Sequence, residues 1–167
     1  MVLRRLRELK EPGALRLLAW SLLTALKAER LLRTTSLTAL LQQFGRGALY
    51  GWDRGERSAR PDGGSLQRVR RYSDFIATTL FRSRRPCLLR CLVLYRYGRE
   101  RGVPLSIHFG VRTEGDGLKG HSWVSLHGTP LFEPQETLRS YICVYIYPDD
   151  THGADPELVQ VLAEGRP

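Results

Sequence analysis

Cys87, His121 and Glu133 are the residues of this chain whose types and spacing could together carry out acyl chemistry. Pro86 reads as the first residue of a helix, so Cys87 falls in its first turn. Unpaired backbone N–H groups and the positive end of the helix dipole stabilise a thiolate there, and Arg84 and Arg85 act in the same direction. Cys91 lies one turn further on, in the apolar stripe, and Cys143 lies mid-strand; both read as small buried hydrophobes. A nucleophilic cysteine needs a base. His121 is the best placed of four histidines, opening a strand directly after a glycine-rich loop. His108 alternates with the apolar face of its strand and reads as solvent-facing, His127 adjoins a turn, and His152 lies in a polar tail. A third group normally orients the imidazole. A hairpin turning at His127 and Gly128 makes residues 121 and 133 approximate cross-strand neighbours, which nominates Glu133; Glu136 and Asp116 stay open as alternatives.

The elements that must position these side chains follow from hydrophobic periodicity. Leucines at helical spacing predict a helix over 15–32, with Pro12 near its start, and a second helix over 36–44 that stops at Gly45. Such helices could pack in a core, lie on an anionic membrane or clasp another protein. Glycines and Pro61 mark 45–65 as a connecting loop. Helical spacing returns over 66–81, followed by the basic cluster Arg82, Arg84 and Arg85. A strong helix spans 87–101, with Leu88, Cys91, Leu92, Leu94 and Tyr95 as its stripe. The period then changes. Strands are predicted over 103–111, 121–127, 129–133 and 141–147, with a three-glycine loop over 113–120. The order gives an α+β fold in which the cysteine-headed helix packs on an antiparallel meander. The expected division is an N-terminal helical segment with linker (1–65), a catalytic module (66–150) and a polar C-terminal tail (151–167).

The chain has 167 residues, 42% hydrophobic and 26% charged, enough to bury a core and unlike a disordered or multi-span membrane protein. Three cysteines are too few for a disulfide scaffold. Without a CxxC pair, no structural zinc site is expected, and the chemistry above calls for no metal or cofactor. The net charge is +9, and 23 of the 26 basic residues are arginine. Residues 1–101 carry a net +14 and residues 102–167 a net −5, so the basic surface belongs to the first part. Arg4, Arg5, Arg7 and Lys10 before the apolar run 17–26 resemble a signal peptide, but Glu8 and Glu11 interrupt the pattern and no small-residue cleavage site follows. A cytoplasmic protein is expected, with peripheral membrane contact left open.

Pro-Cys-Leu-Leu-Arg-Cys-Leu-Val-Leu-Tyr (86–95) is followed by Arg-Gly-Val-Pro-Leu-Ser-Ile-His-Phe-Gly-Val (101–111), Gly-His-Ser-Trp-Val (120–124) and Leu-Phe-Glu-Pro (131–134). This series resembles the transglutaminase-like cysteine peptidases of lasso peptide biosynthesis, the B-type proteins that remove leader peptides. The resemblance covers residues 82–134 with specific motifs and extends more weakly into the leucine- and arginine-rich helices before them. It implies a papain/transglutaminase-like fold with Cys87 as nucleophile, His121 as general base and acid, and Glu133 as orienting carboxylate. It also implies a precursor peptide as substrate, with a separate leader-recognition protein and an asparagine-synthetase-like cyclase as partners. Two departures stand out. The family's His-Ala-Trp-Val-Glu is here His121-Ser122-Trp123-Val124-Ser125, and its usual aspartate is here Glu133.

Three other readings compete with a leader peptidase. One is a transglutaminase-like enzyme acting on another amide. Another is a nucleic-acid-binding protein using Arg68, Arg70, Arg71, Arg82, Arg84 and Arg85, against which the arginines lack interleaved stacking aromatics. The third keeps the fold as an inactive scaffold for the cyclase.

Overall fold

The computed structural model describes residues 13–46 and 63–148. Helix α1, Ala14–Thr34, follows Gly13, which adopts the left-handed conformation, and its last turn is closed by Thr35 N–H on the Leu31 carbonyl. Helix α2, Leu37–Gly45, starts at Ser36, whose hydroxyl accepts the Ala39 N–H at 3.3 Å. Helix α3 is Gly63–Phe75 and helix α4 is Pro86–Glu100. Strand β1, Leu105–Glu114, and strand β2, Gly117–Leu126, form a hairpin, and β3 is the short Thr129–Pro130. Helix α5, Gln135–Leu138, leads into β4, Ile142–Tyr147.

Helix α4 is buried almost all round: Leu88, Leu89 and every residue from Cys91 to Gly98 are inside. That pattern marks a central helix rather than one lying on the surface. It packs against α1, α2 and α3 and against β1 and β2. Trp20, Ala25, Ala28, Leu40, Leu41 and Phe44 join Leu89, Leu92, Ile107, Val124 and Leu126 in one apolar cluster. The N-terminal helices therefore share a core with the cysteine-headed helix.

One polar device crosses this core. The Arg96 guanidinium is 1% exposed and donates to the Phe44 carbonyl at 3.0 Å and the Arg46 carbonyl at 2.6 Å. Its Nε donates to Glu100 at 2.7 Å, and the other oxygen of Glu100 accepts Trp20 Nε1–H at 3.1 Å. The last carbonyls of α2 have no partner within that helix, and Arg96 supplies one. Helices α1, α2 and α4 are thus locked in register by one buried ion pair.

The sheet is antiparallel in the order β3-β2-β1-β4. Strands β1, β2 and β3 form the expected meander, while β4 crosses to the opposite edge and pairs with β1. Four local expectations change. The helix over 66–81 becomes a π-helical turn at Ile76–Leu80, because Thr78 Oγ1 takes the Asp74 carbonyl at 2.7 Å and competes with the backbone ladder. The loop over 113–120 is instead continuous strand around a two-residue turn at Gly115 and Asp116. A cross-strand ion pair favours that extension: Glu114 at the end of β1 binds Lys119 of β2 at 2.9 Å, and Arg112 of its own strand holds the same carboxylate at 2.6 Å. The return strand over 129–133 pairs only at Thr129–Pro130, with Leu131 N–H adding a bond to the Val124 carbonyl before Phe132 turns left-handed. The second helix includes Gly45 rather than ending before it. Most of the linker and the C-terminal tail lie outside the described residues.

No helix among the described residues is long and apolar enough to cross a membrane.

Candidate active site

Cys87 occupies the second position of α4, after Pro86, and is partly exposed. Proline is tolerated there because the first N–H of a helix has no internal acceptor. The neighbouring backbone N–H groups point at the thiol for the same reason. His121 lies within β2 rather than opening it, opposite Gly110 of β1, because the preceding glycines belong to the strand. Its imidazole sits between the rings of Tyr141, with centroids 5.1 Å apart, and Trp123, at 6.1 Å. Gly110 makes this packing possible: a Cβ there would come within 2.7 Å of the Trp123 ring and 3.1 Å of the Tyr141 Cβ.

Glu133 reaches His121 although the ladder between their strands has already ended. Its Oε2 lies 2.6 Å from His121 Nε2, and its Oε1 accepts Arg90 Nη2 at 2.7 Å. Arg90 also contacts Asp74 at 3.3 Å, tying α3 to the same network. Arg90 is three residues after Cys87, hence on the same face of α4. With Nε2 given to Glu133, Nδ1 is the ring nitrogen available to Cys87, with which His121 also hydrogen-bonds.

The electrostatics follow from these contacts. Burial pushes the Cys87 thiol up. The hydrogen bond with His121, the Ser122 backbone N–H, the imidazolium charge and the Leu88 N–H together outweigh it, leaving the thiol below its ordinary value. His121 is raised to about 9 by its hydrogen bonds to Cys87 and Glu133, against desolvation and with help from both negative charges. Glu133 is pushed up by burial, but His121, Arg90 and Arg70 hold it below the usual carboxylate range. A thiolate–imidazolium–carboxylate chain is the state these shifts favour. Cys91, fully buried, is pushed far up and stays a neutral thiol.

The three predicted residues therefore meet. The alternative acids do not join them: Asp116 lies in the exposed β1–β2 turn and Glu136 is exposed on α5. Two expectations need correction. Cys143 is exposed, because β4 is an edge strand, and its sulfur lies 3.7 Å from His108 Nδ1. His108 is not turned to solvent: it stacks on Trp123 at 5.3 Å, and its Nε2 lies 2.6 Å from Ser125 Oγ. Sequence reasoning missed Arg90, Tyr141 and the Ser122 N–H. Only Arg90 left a signal, an arginine one helical turn from the candidate nucleophile. Among the described residues no group of histidine, cysteine and carboxylate side chains could hold a metal ion.

A cysteine heading a buried helix, with a histidine and a carboxylate from the adjoining sheet region, defines a transglutaminase-like α+β fold. Residues 22–145 match the Transglutaminase-like superfamily, and the chain belongs to that family. The match begins inside α1, so the N-terminal helices fall within it for most of their length. Searches of curated proteins and of solved structures each return no match. The family includes cysteine peptidases and transglutaminases, enzymes that process amides through a thiol.

Proposed function

We propose that this protein is a cysteine peptidase that removes the leader peptide from a ribosomally made precursor during lasso peptide maturation. The observation that carries the reading is the continuous chain from Cys87 through His121 to Glu133, with Glu133 held on its other side by Arg90. The Cys87 thiolate attacks the scissile carbonyl carbon. The C–N bond breaks as His121 gives its proton to the leaving amine, and a thioester forms. Water then attacks the thioester, His121 takes its proton and the thiolate departs. The Cys87 N–H, near the free end of α4, is one donor for the oxyanion. The order and spacing of the 86–95, 101–111, 120–124 and 131–134 motifs support the leader-peptidase assignment within the family. A separate leader-recognition protein delivers the precursor, and an asparagine-synthetase-like cyclase closes the ring. Mass spectrometry of precursor incubated with this protein and its recognition partner tests the reading. Cleavage at the leader–core junction is expected, and intact precursor after prolonged incubation with both proteins would refute it.

The pH profile of kcat/KM should be bell-shaped. The acid limb reports protonation of the thiolate and lies below the ordinary thiol value of about 8.5. The basic limb falls near about 9, where His121 loses the proton that the leaving amine needs. Both limbs belong to the coupled pair. The linkage to stability has the same sign: the contribution of raised His121 is complete below about 6.5 and lost as pH rises through about 9. A basic limb well below 8 would contradict the ion-pair description.

Glu133→Gln should lower kcat by roughly 10²- to 10⁴-fold, yet leave more activity than loss of the nucleophile, because the imidazole survives in a partly wrong orientation. Glu133→Asp should also lose rate, since one methylene less cannot bridge Arg90 and His121 at 2.7 and 2.6 Å. Steady-state kinetics beside Glu136→Gln and Asp116→Asn decide it. Unchanged kcat in Glu133→Gln, with a large loss in either other variant, would reassign the acid.

A further inference from the structure

Three exposed arginines precede Cys87 in the chain, and two more lie on the turn of α1 that is tied to the same segment. Arg82, Arg84 and Arg85 occupy the segment that leads into α4, two to five residues before Cys87, and all three are exposed. That segment is held in place. Arg82 adopts a left-handed φ of 46°, Ser83 N–H bonds the Ala77 carbonyl at 2.8 Å, and Arg85 N–H bonds Ser83 Oγ at 3.3 Å. Ser83 Oγ also donates to Glu29 of α1 at 3.1 Å, which brings that turn of α1 alongside. Arg33, 75% exposed, shares the same Glu29 at 3.2 Å, and exposed Arg30 is its sequence neighbour. Arg30, Arg82, Arg84 and Arg85 form no salt bridge among the described residues. Glu29, already shared by Arg33 and Ser83, is a weak counterweight to five like charges. Holding such charges together is unfavourable by itself, and an anionic partner would relieve it.

We propose that this cluster docks an acidic stretch of the peptide on which Cys87 acts, so that carboxylate side chains near the cleavage site set substrate preference. The inference rests on the peptidase reading for the identity of the partner. The position of the cluster favours a peptide: it borders the one thiol poised for acyl chemistry, and a bound acidic segment there leaves an adjoining amide within reach of the helix end. A nucleic acid would call for stacking rings among the arginines, and 82–86 contains none.

The test reads binding alone, so it is separable from the cleavage assays that test the peptidase reading. Full-length protein carrying Cys87→Ala is titrated, by fluorescence anisotropy, into two labelled synthetic peptides that differ only in a run of Glu against Gln. The Glu peptide should bind about tenfold more tightly at low salt, with the difference shrinking as salt rises. Replacing Arg82, Arg84 and Arg85 together with Gln should remove most of that difference, while Lys at the same positions should keep much of it. Arg84→Glu alone, a milder change to the fold, should already weaken the Glu peptide more than the Gln peptide. Equal affinity for the two peptides would overturn the proposal. So would a Glu preference unmoved by these variants, or tighter arginine-dependent binding of an oligonucleotide or of phosphatidylglycerol vesicles.

Discussion

Replacing Cys87 with alanine should abolish precursor cleavage, by about 10⁴-fold or more, while the fold stays intact. The thiol is partly exposed at the start of α4, and its packing role is slight. Circular dichroism and the denaturation midpoint should therefore stay close to wild type. Cys91→Ala makes the contrast. Cys91 is 1% exposed in the core, so its loss should cost stability while measurable turnover persists. Iodoacetamide should modify Cys87 ahead of Cys91, because alkylation needs an accessible thiolate and burial keeps Cys91 neutral. Cys143 is exposed as well, so the labelled residue must be identified by peptide mapping, and the Cys87 adduct should form ahead of the Cys143 adduct at a pH below the ordinary thiol value of about 8.5. Full turnover by Cys87→Ala, or faster labelling of Cys143 at that pH, would remove Cys87 from the mechanism.

The second large effect lies away from the site. Arg96→Met should destabilise the protein by about 3 to 5 kcal/mol, the usual cost of breaking a buried ion pair from one side. Methionine keeps the apolar stem but strips the donor from the Phe44 and Arg46 carbonyls and the guanidinium from the buried Glu100 carboxylate. Urea denaturation should show a lower midpoint with a similar slope. Arg96→Met with Glu100→Gln should recover part of the loss, since the carboxylate charge then goes too. Wild-type stability in Arg96→Met would mean that the α2–α4 junction is held by apolar packing alone.

Much of the site was legible in the sequence because its parts obey local rules. Pro86 before Cys87 marks a helix start, and the unpaired N–H groups of a helix start favour a thiolate. His127 and Gly128, both at positive φ, make the tight turn that sends the chain back, so the partner of His121 could be placed near residue 133 by counting. Counting worked although the ladder stops at Pro130, because the glutamate side chain is long enough to cross the remaining gap to His121. The alternation in 105–109 and the stripe in α4 likewise made the α+β order readable.

Other features depend on which surfaces meet, and no local pattern encodes that. Cys143 sits in a strand of β-branched and aromatic residues and reads as interior; it is exposed because β4 crosses to the open edge beside β1. His108 reads as outward by alternation, yet Trp123 from the neighbouring strand covers it. The glycines of 113–120 suggest a loop, and strand pairing braced by the cross-strand Glu114–Lys119 ion pair holds most of them in strand instead. Arg90 and Arg96 are both arginines of one helix, six residues apart. One orients the candidate acid and the other binds the end of α2, because residues six apart on a helix face different neighbours. The chain by itself determined the helix that Cys87 heads, the turn behind His121 and the charge around them. Only the tertiary structure decided which arginine holds Glu133, which rings flank His121 and which thiol is covered, because those outcomes rest on contacts between residues far apart in sequence.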